Sequence, residues 1–394
     1  MARRATYFNK VWDENLPLLV LDGGDLFGDR NRRAQIQSEF LAKQTASFGY
    51  DAIGLGERDL NYGFEFLQQM IAEYDLPFTN ANVRNAATGE LLLPEYLVIE
   101  RGGVRFGICS VLGPSHRITT MAARDVEYEV ADPAAVLQQL VPRLRELSDC
   151  VVLLSHFGEQ PTETVLEQVP TIDIVVLGHG LRSFDRPRTV HRALVLAAVP
   201  EGQRIGRADL GIDLQTGQVM SAQIALTALD ESIENDPVML AEVDAFKQRV
   251  EDLRDAQRAA FPRDQGSPAE QFLGDSNCKA CHTEIHQQWR KTNHSRAHLS
   301  LRGRNMQSEP ECLVCHTTGY RHHNGFDEHE RANLSNVQCE ACHGYGTQHD
   351  RTGEMLKVAR ESCTRCHVDS ERPCRDEHKD EAFDYARFWE RIAH

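Results

Sequence analysis

Residues 50–63 read YDAIGLGERDLNYG. A short apolar run, YDAIGLG (50–56), ends in a glycine turn that presents Glu57, Arg58 and Asp59. Similar runs recur as LPLLVLD (16–22), VRFGICSVLG (104–113), DCVVLLSHFG (149–158) and DIVVLGHG (173–180). Each stops at a glycine or polar turn, as buried strands do. Between them, QIQSEFLAKQTASFG (35–49) and DPAAVLQQLVPRLRELS (132–148) read as helices, the second with Asp132 as N-cap and Pro133 in its first turn. Strands alternating with helices predict a layered α/β domain over residues 1–228. The stretch 183–227 reads instead as paired strands, RALVLAAV, ADLGIDL and SAQIALTAL, separated by turns such as QTG.

Beyond this domain, residues 236–260 are expected to form a helix capped by Asp236, with Pro237 in its first turn. Leu240, Val243, Phe246, Val250 and Leu253 make an apolar stripe whose expected use is packing, self-association being the other. FPRDQGSP (261–268) is a linker by composition. The expected organisation is therefore 1–228 as the α/β domain, 229–270 as helix and linker, and 271–394 as a second domain.

Bulk composition narrows the function. A formal charge of −16 over 394 residues argues against a nucleic-acid binder and against docking on an anionic membrane. No window has the apolar length of a transmembrane helix. The start, MARRATYFNK, carries positive charge without the apolar segment of a signal peptide. Cysteine and histidine are very unevenly spread: nine of 11 cysteines follow residue 277 and 13 of 17 histidines follow residue 281. A disulfide scaffold has no need of those histidines, so the last third is expected to bind metal or haem.

Four C-x-x-C-H motifs occur there: Cys278, Cys281, His282; Cys312, Cys315, His316; Cys339, Cys342, His343; and Cys363, Cys366, His367. Two thiols three residues apart reach the vinyl groups of one porphyrin, and the adjacent histidine comes under the iron as proximal ligand. Zinc would use the same cysteines but has no need of a histidine after every second one. Four covalently attached haem c groups are the reading taken, with the porphyrins supplying much of the domain's core. Cys374 is a thiol outside these motifs, expected to be structural.

The segments LGDSNCKACHTEIHQQWRKTNHSRA, CLVCHTTGY, NVQCEACHGYGTQHD and FDYARFWERIAH resemble the cytochrome c-554 family of tetrahaem cytochromes, across the whole of 271–394. The resemblance implies His294, His349 and His394 as distal ligands, with His349 serving the first haem, His294 the third and His394 the fourth. It leaves the second haem, proximal ligand His316, as a candidate five-coordinate iron that could react with a small ligand. His298, His322, His323 or Met306 are the residues that could close it. His286, His329 and His378 are expected as surface or propionate contacts.

In the first domain, LVLDGGDLFGD (19–29), YDAIGLGERDLNYG, FTNANV (78–83), VVLLSHFG (151–158) and IDIVVLGHG (172–180) occur in the order seen in the metallophosphatase and 5′-nucleotidase family, which they resemble. The resemblance implies a layered α/β sandwich with metal ligands at strand ends. Asp25 matches the metal-bridging aspartate, and His156 and His179 match ligands of one metal. Glu57 stands where the family has an asparagine ligand. Arg58 replaces the histidine of G-N-H-[DE], Leu181 replaces the second histidine of G-H-x-H, and the D-x-H motif is missing. One site thus keeps Asp25, Glu57, His156 and His179, an oxygen and nitrogen set suited to one divalent metal. A two-metal hydrolysis needs both ions, so a degenerate site, its residues holding turns or a single metal, is the expected state. The missing strand and an export signal are expected upstream.

The combined expectation is a periplasmic or otherwise exported multihaem cytochrome that transfers electrons to redox partner proteins, with the phosphatase-like domain as a docking or binding module. A homo-oligomer is compatible with the sequence. Two alternatives stand beside it: a redox enzyme acting on a small nitrogen or oxygen species at the second haem, and a metal-dependent phosphoester hydrolase.

Overall fold

A computed structural model describes residues 1–394 except 31, 116–117, 119, 121–125, 180–185, 199–201, 261–263, 265, 268, 303–305, 355–357, 359, 368–385, 387–388 and 390–394, and except the side chains at 32, 254, 257, 258, 260, 348 and 351. Leu181, Cys374, His378 and His394 lie outside the described residues. The chain forms two units, Met1–Lys247 and Gln248–His394.

Alternation along the strands builds the first unit. Every residue of strand Cys150–His156 is buried, and successive side chains enter different apolar clusters, as the two-residue period of a strand requires. Val151 and Leu153 pack with Leu137, Leu140 and Leu144 of helix Pro133–Leu147 and with Val165 and Leu166 of helix Glu159–Gln168. Val152 and Leu154 face the other way, onto Ala52 and Ile108. The next residue, Ile53, turns away again, to Phe66, Leu67 and Met70 of helix Phe64–Tyr74. Two sheets thus lie face to face, with helices on both outer surfaces.

In chain order the strands are β1 (Leu21–Asp22), β2 (Ala52–Gly54), β3 (Phe78–Thr79), β4 (Val83–Asn85), β5 (Leu97–Arg101), β6 (Val104–Leu112), β7 (Tyr128–Val130), β8 (Cys150–His156), β9 (Ile174–Leu177), β10 (Arg188–Val190), β11 (Ala193–Ala197), β12 (Arg204–Ile212) and β13 (Val219–Ala228). One sheet is β1-β2-β3, all parallel. The other is β10-β11-β9-β8-β6-β5, parallel within and antiparallel at both edges. The parallel strands of both sheets carry their polar C-terminal loops at one end, where ligands collect in such folds.

The expected strand over 16–22 is reduced to Leu21–Asp22. Pro17 has no N–H for a ladder, Leu18 O accepts from Arg101 Nε at 2.9 Å, and Val20 N donates to the Asp51 carboxylate at 2.9 Å. The paired strands expected over 183–227 divide: β11 joins the large sheet parallel to β9, and only β12 and β13 form a separate hairpin. Asp132 caps its helix as expected, accepting from Ala135 N at 2.9 Å.

Helix α6 (Pro237–Ala260), after α1 (Ala2–Asp13), α2 (Arg32–Ala46), α3 (Phe64–Tyr74), α4 (Pro133–Leu147) and α5 (Glu159–Gln168), contains the boundary between the units. The front of its apolar stripe is used for packing in the first unit: Phe246 stacks on Phe40 with ring centroids 4.4 Å apart, and Val243 and the neighbouring Met239 pack among Phe8 and Phe48.

The second unit has short helices joined by loops: α7 (Asp275–Cys281), α8 (Thr283–Trp289), α9 (Ala297–Arg302), α10 (Pro310–His316), α11 (Cys339–His343), α12 (Gly346–Thr352) and α13 (Arg360–Thr364). Its buried apolar cluster is small: Phe272, Leu301, Cys312, Leu313, Phe326 and Leu334.

Candidate functional site

The first unit brings four side chains from four separate loops and strand ends to one point. Asp25 follows β1, Glu57 follows β2, His156 ends β8 and His179 follows β9. One ligand atom from each lies within 4.8 Å of all the others, and no other such group of three or more converges among the described residues. His156 Nε2 is 3.1 Å from Glu57 Oε2 and 3.5 Å from Asp25 Oδ2. Its Nδ1 donates to Gly23 O at 2.8 Å, which leaves Nε2 toward the carboxylates.

Close backbone approach makes this possible. A Cβ on Gly178, just before His179, would fall 1.9 Å from Gly23 O, and one on Gly56 would fall 2.2 Å from Asp25 Oδ1. Asp25 itself has φ +61°, a strained value for an aspartate. The buried carboxylate of Asp59 holds it there, accepting from Asp25 N at 3.0 Å, Phe27 N at 3.1 Å and Gly56 N at 2.9 Å. Asp59 is the residue sequence reasoning missed. Its position two residues after Glu57 was visible, but nothing in an exposed-looking E-R-D turn shows that one carboxylate is fully buried beneath the others.

The electrostatics ask for a cation. Burial works against protonation of His156, but its contacts with Asp25 and Glu57 prevail and push its pKa up to about 10. Asp59 is raised to about 7, first by burial and then by the charge of Asp25, against the hydrogen bonds from Gly56 and Phe27. Two carboxylates and two imidazoles at this spacing fit a divalent ion, which would replace the proton on His156.

In the second unit each C-x-x-C-H spans one helical turn, which sets both thiols and the histidine on neighbouring positions. His282 N donates to Cys278 O at 2.9 Å, and His367 N to Cys363 O at 3.0 Å. The first and third motifs come together where α7 packs on α11. Histidine rings face each other in pairs: His282 and His349 with centroids 6.0 Å apart, His294 and His367 with centroids 6.1 Å apart. An iron between two imidazoles, each bound at about 2 Å, separates the centroids by roughly that distance. His349 Nδ1 is buried without a hydrogen-bond partner, and burial lowers the pKa of His294, favouring the neutral ring that ligates iron. The residues present fit the group.

The pairing of His294 corrects the expectation that set it opposite His343 of the third motif. Its 3₁₀ turn, Asn293–Arg296, is tied to the approach of that motif by Val337 N donating to His294 O at 3.1 Å, yet the ring reaches the fourth motif, which packs on α11. His316 Nδ1 donates to Ala297 O at 2.7 Å, which orients the ring. Of the residues considered for the opposite side of that iron, His298, His323 and Met306 are engaged elsewhere, while His322 is held through Nδ1 alone. His298 Nε2 meets Gln307 O at 3.3 Å, His322 Nδ1 meets the Asp264 carboxylate at 2.5 Å and Tyr345 OH at 3.0 Å, His323 Nε2 meets Asn324 Nδ2, and Met306 packs against the apolar cluster. His286, expected as a surface or propionate contact, is not at the surface but buried against Asp275 at 2.8 Å and Trp289, while His329 is exposed.

Glu340 and Gln338 were also missed. Glu340 occupies a variable position of the third motif, yet is buried and accepts from Leu273 N, Gly274 N and Gly346 N at 2.9, 2.8 and 2.6 Å. Gln338 accepts from Asp275 N at 2.8 Å.

Comparison with known proteins agrees with this division. Residues 277–344 match the family described as cytochrome c554 and c-prime. The trifunctional nucleotide phosphoesterase YfkN of Bacillus subtilis is 22% identical over 64% of this chain and 20% of its own length. The 2′,3′-cyclic-nucleotide 2′-phosphodiesterase/3′-nucleotidase of Yersinia enterocolitica is 28% identical over 47% of this chain and 32% of its own length. The chain thus spans a third or less of these relatives. Among solved structures, the sulfate thiohydrolase SoxB of Thermus thermophilus superposes with TM-score 0.57 at 20% identity, covering 64% of this chain and 47% of that one. The 5′-nucleotidase precursor of the same species gives TM-score 0.55 at 22% identity, covering 64% and 54%. The N-terminal part of the chain has the α/β fold of 5′-nucleotidase-type metallophosphatases, and the C-terminal part carries cytochrome c554 family sequence.

Proposed function

We propose that the chain is an exported, tetrahaem c-type cytochrome that carries electrons between redox proteins, with its metallophosphatase-like unit as a binding module holding one divalent metal. The observation that carries the reading is the pair of facing histidines at 6.0 and 6.1 Å, each pair joining a C-x-x-C-H histidine to a distant one. Cys278, Cys281, Cys312, Cys315, Cys339, Cys342, Cys363 and Cys366 would attach the haems, with His282, His316, His343 and His367 proximal and His294, His349 and His394 distal. Covalent haem supplies the one-electron chemistry. The protein fixes its ligands, its distances and its surroundings. Asp25, Glu57, His156 and His179 would hold the metal.

No helix among the described residues is long and apolar enough to cross a membrane. Haem attachment through thioethers is a chemistry of exported proteins, which supports the periplasmic reading.

Low-temperature electron paramagnetic resonance of the oxidised, haem-loaded protein tests the assignment, alongside a haem count after denaturation in alkaline pyridine. Four haems per chain with low-spin ferric signals support an electron carrier. Zinc in place of haem overturns it. A high-spin signal from about a quarter of the haem would support the second reading, a redox enzyme at the His316 iron. The observation favouring that reading is the engagement of His298, His323 and Met306 with other partners.

A further inference from the structure

Asp25 serves two neighbours at once. Its Oδ1 accepts the backbone N–H of Arg58 at 2.9 Å, while its Oδ2 lies 3.5 Å from His156 Nε2 and 3.7 Å from Arg58 Nε. The four-residue cluster and the Arg58 guanidinium therefore stand on the same carboxylate. The other neighbour of the guanidinium is Asp29 Oδ1, 3.8 Å from Nη1. Both carboxylates are near enough to hold the guanidinium in place and too far to be hydrogen-bonded to it. Among the described residues, its N–H fork makes no hydrogen bond, and the side chain is 54% exposed.

A planar fork of unspent donors beside a metal-ligand cluster is suited to an oxyanion, which can take one oxygen to the metal and two to the fork. A guanidinium is a cation with five N–H donors and no acceptor. It can neither ligate a metal nor pass a proton to a leaving group. What it can supply is a fixed positive charge next to Asp25, and that charge opposes a second dication there.

We propose that Arg58 takes the place of a second metal, so that one divalent ion on Asp25, Glu57, His156 and His179, together with the Arg58 fork, binds a phosphate dianion, free or as a monoester, without hydrolysing it. This rests on the single-metal reading above. The unit is then a phosphate-binding module attached to an electron carrier.

The test uses the full, haem-loaded chain, stripped with a chelator and titrated with Mn²⁺ by calorimetry, then with inorganic phosphate and, separately, phenyl phosphate. One Mn²⁺ per chain is expected, with phosphate binding that depends on the metal. Arg58→Ala should keep that stoichiometry and weaken phosphate binding by about 10- to 100-fold, the loss expected for hydrogen bonds to a charged group. Arg58→Lys should fall between, since it keeps the charge without the fork. Tighter binding of inorganic phosphate or of phenyl phosphate identifies which source the site prefers. Failure to bind Mn²⁺ overturns the single-metal reading and the inference with it. One Mn²⁺ with phosphate affinity indifferent to Arg58→Ala overturns the inference alone. Two Mn²⁺ per chain, or release of phenol, also overturns it.

Discussion

The candidate ligands of the N-terminal unit stand on loops above a core that is complete without them. Ala52, Ile108, Val152, Leu154 and Ile174 fill the space between its sheets, and Leu137, Leu140 and Leu144 cover one outer face. In the C-terminal unit the corresponding groups are part of the packing. Cys312 belongs to the small apolar cluster, Cys363 is buried, and Glu340 sits within a C-x-x-C-H motif while tying three backbone amides together. One unit is a scaffold that carries a site, so its residues can change while the fold persists. The other has its candidate site built into its packing, and removing the groups of that site is expected to remove the fold as well.

The harshest way to break this comparison is to deny the second unit a cofactor. A Cys339→Ser/Cys342→Ser variant should lose protease resistance across residues 271–394, while calorimetry shows the transition of the N-terminal unit moved by no more than about 2–4 °C. An equally resistant C-terminal unit would mean its protein core suffices. Within the first unit, Asp59→Ala removes the acceptor of three amide N–H groups and should cost about 3 kcal/mol in urea unfolding, with Mn²⁺ affinity falling alongside. Asp25→Ala should abolish metal binding at a smaller cost in stability than Asp59→Ala, because it strips one backbone N–H, that of Arg58, of its acceptor rather than three, even though alanine tolerates the φ of +61° less well than aspartate does.

His349→Ala sharpens the contrast by spectroscopy. It should turn one low-spin haem high-spin and leave the other signals in place. His294→Ala should do the same to the haem on His367, the partner 6.1 Å away, and leave that on His343 unchanged. The smallest effect concerns pH. In chelator-treated protein the folded-state pKa of His156, about 10, exceeds its ordinary value of 6.5. Its stabilising contribution is therefore full below about pH 6.5 and is lost as pH rises through 10. Asp59, raised from 3.8 to about 7, prefers its proton when folded and weakens the fold in the same direction, between those two values. The melting temperature of the metal-free N-terminal unit should fall on going from pH 6 to 10, and saturating Mn²⁺ should flatten that slope by holding His156 neutral.

What the sequence made legible follows the same division. Strands such as DCVVLLSHFG declare themselves because nearly every side chain is apolar and the turn after them is polar, and Asp132 and Asp236 cap helices where their spacing says they should. LPLLVLD looked equally strand-like, yet only Leu21–Asp22 pair as a strand, because Leu18 O and Val20 N are taken by side chains 83 and 31 residues away while Val20 O still accepts from Asp51 N. The convergence of Asp25, Glu57, His156 and His179 was nameable from their places at strand ends. The support beneath them was not, since burial of Asp59 depends on three loops folding over it. The C-x-x-C-H motifs could be read letter by letter, but the partner of a distal histidine is decided by how helices pack, and so His294 was set opposite the wrong motif.

The buried carboxylate of Glu340 bears on the order in which the proposed haems would be attached. It fastens Leu273 N and Gly274 N, at the threshold of α7, from 67 and 66 positions further along the chain, and His349 meets His282 across a similar interval. A chain delivered through an export channel from its N-terminus presents the first motif to the attachment machinery long before either of those groups emerges. On the exported, haem-bearing reading proposed above, the first thioether pair would form on a segment still open to solvent, and the arrival of the third motif would close it.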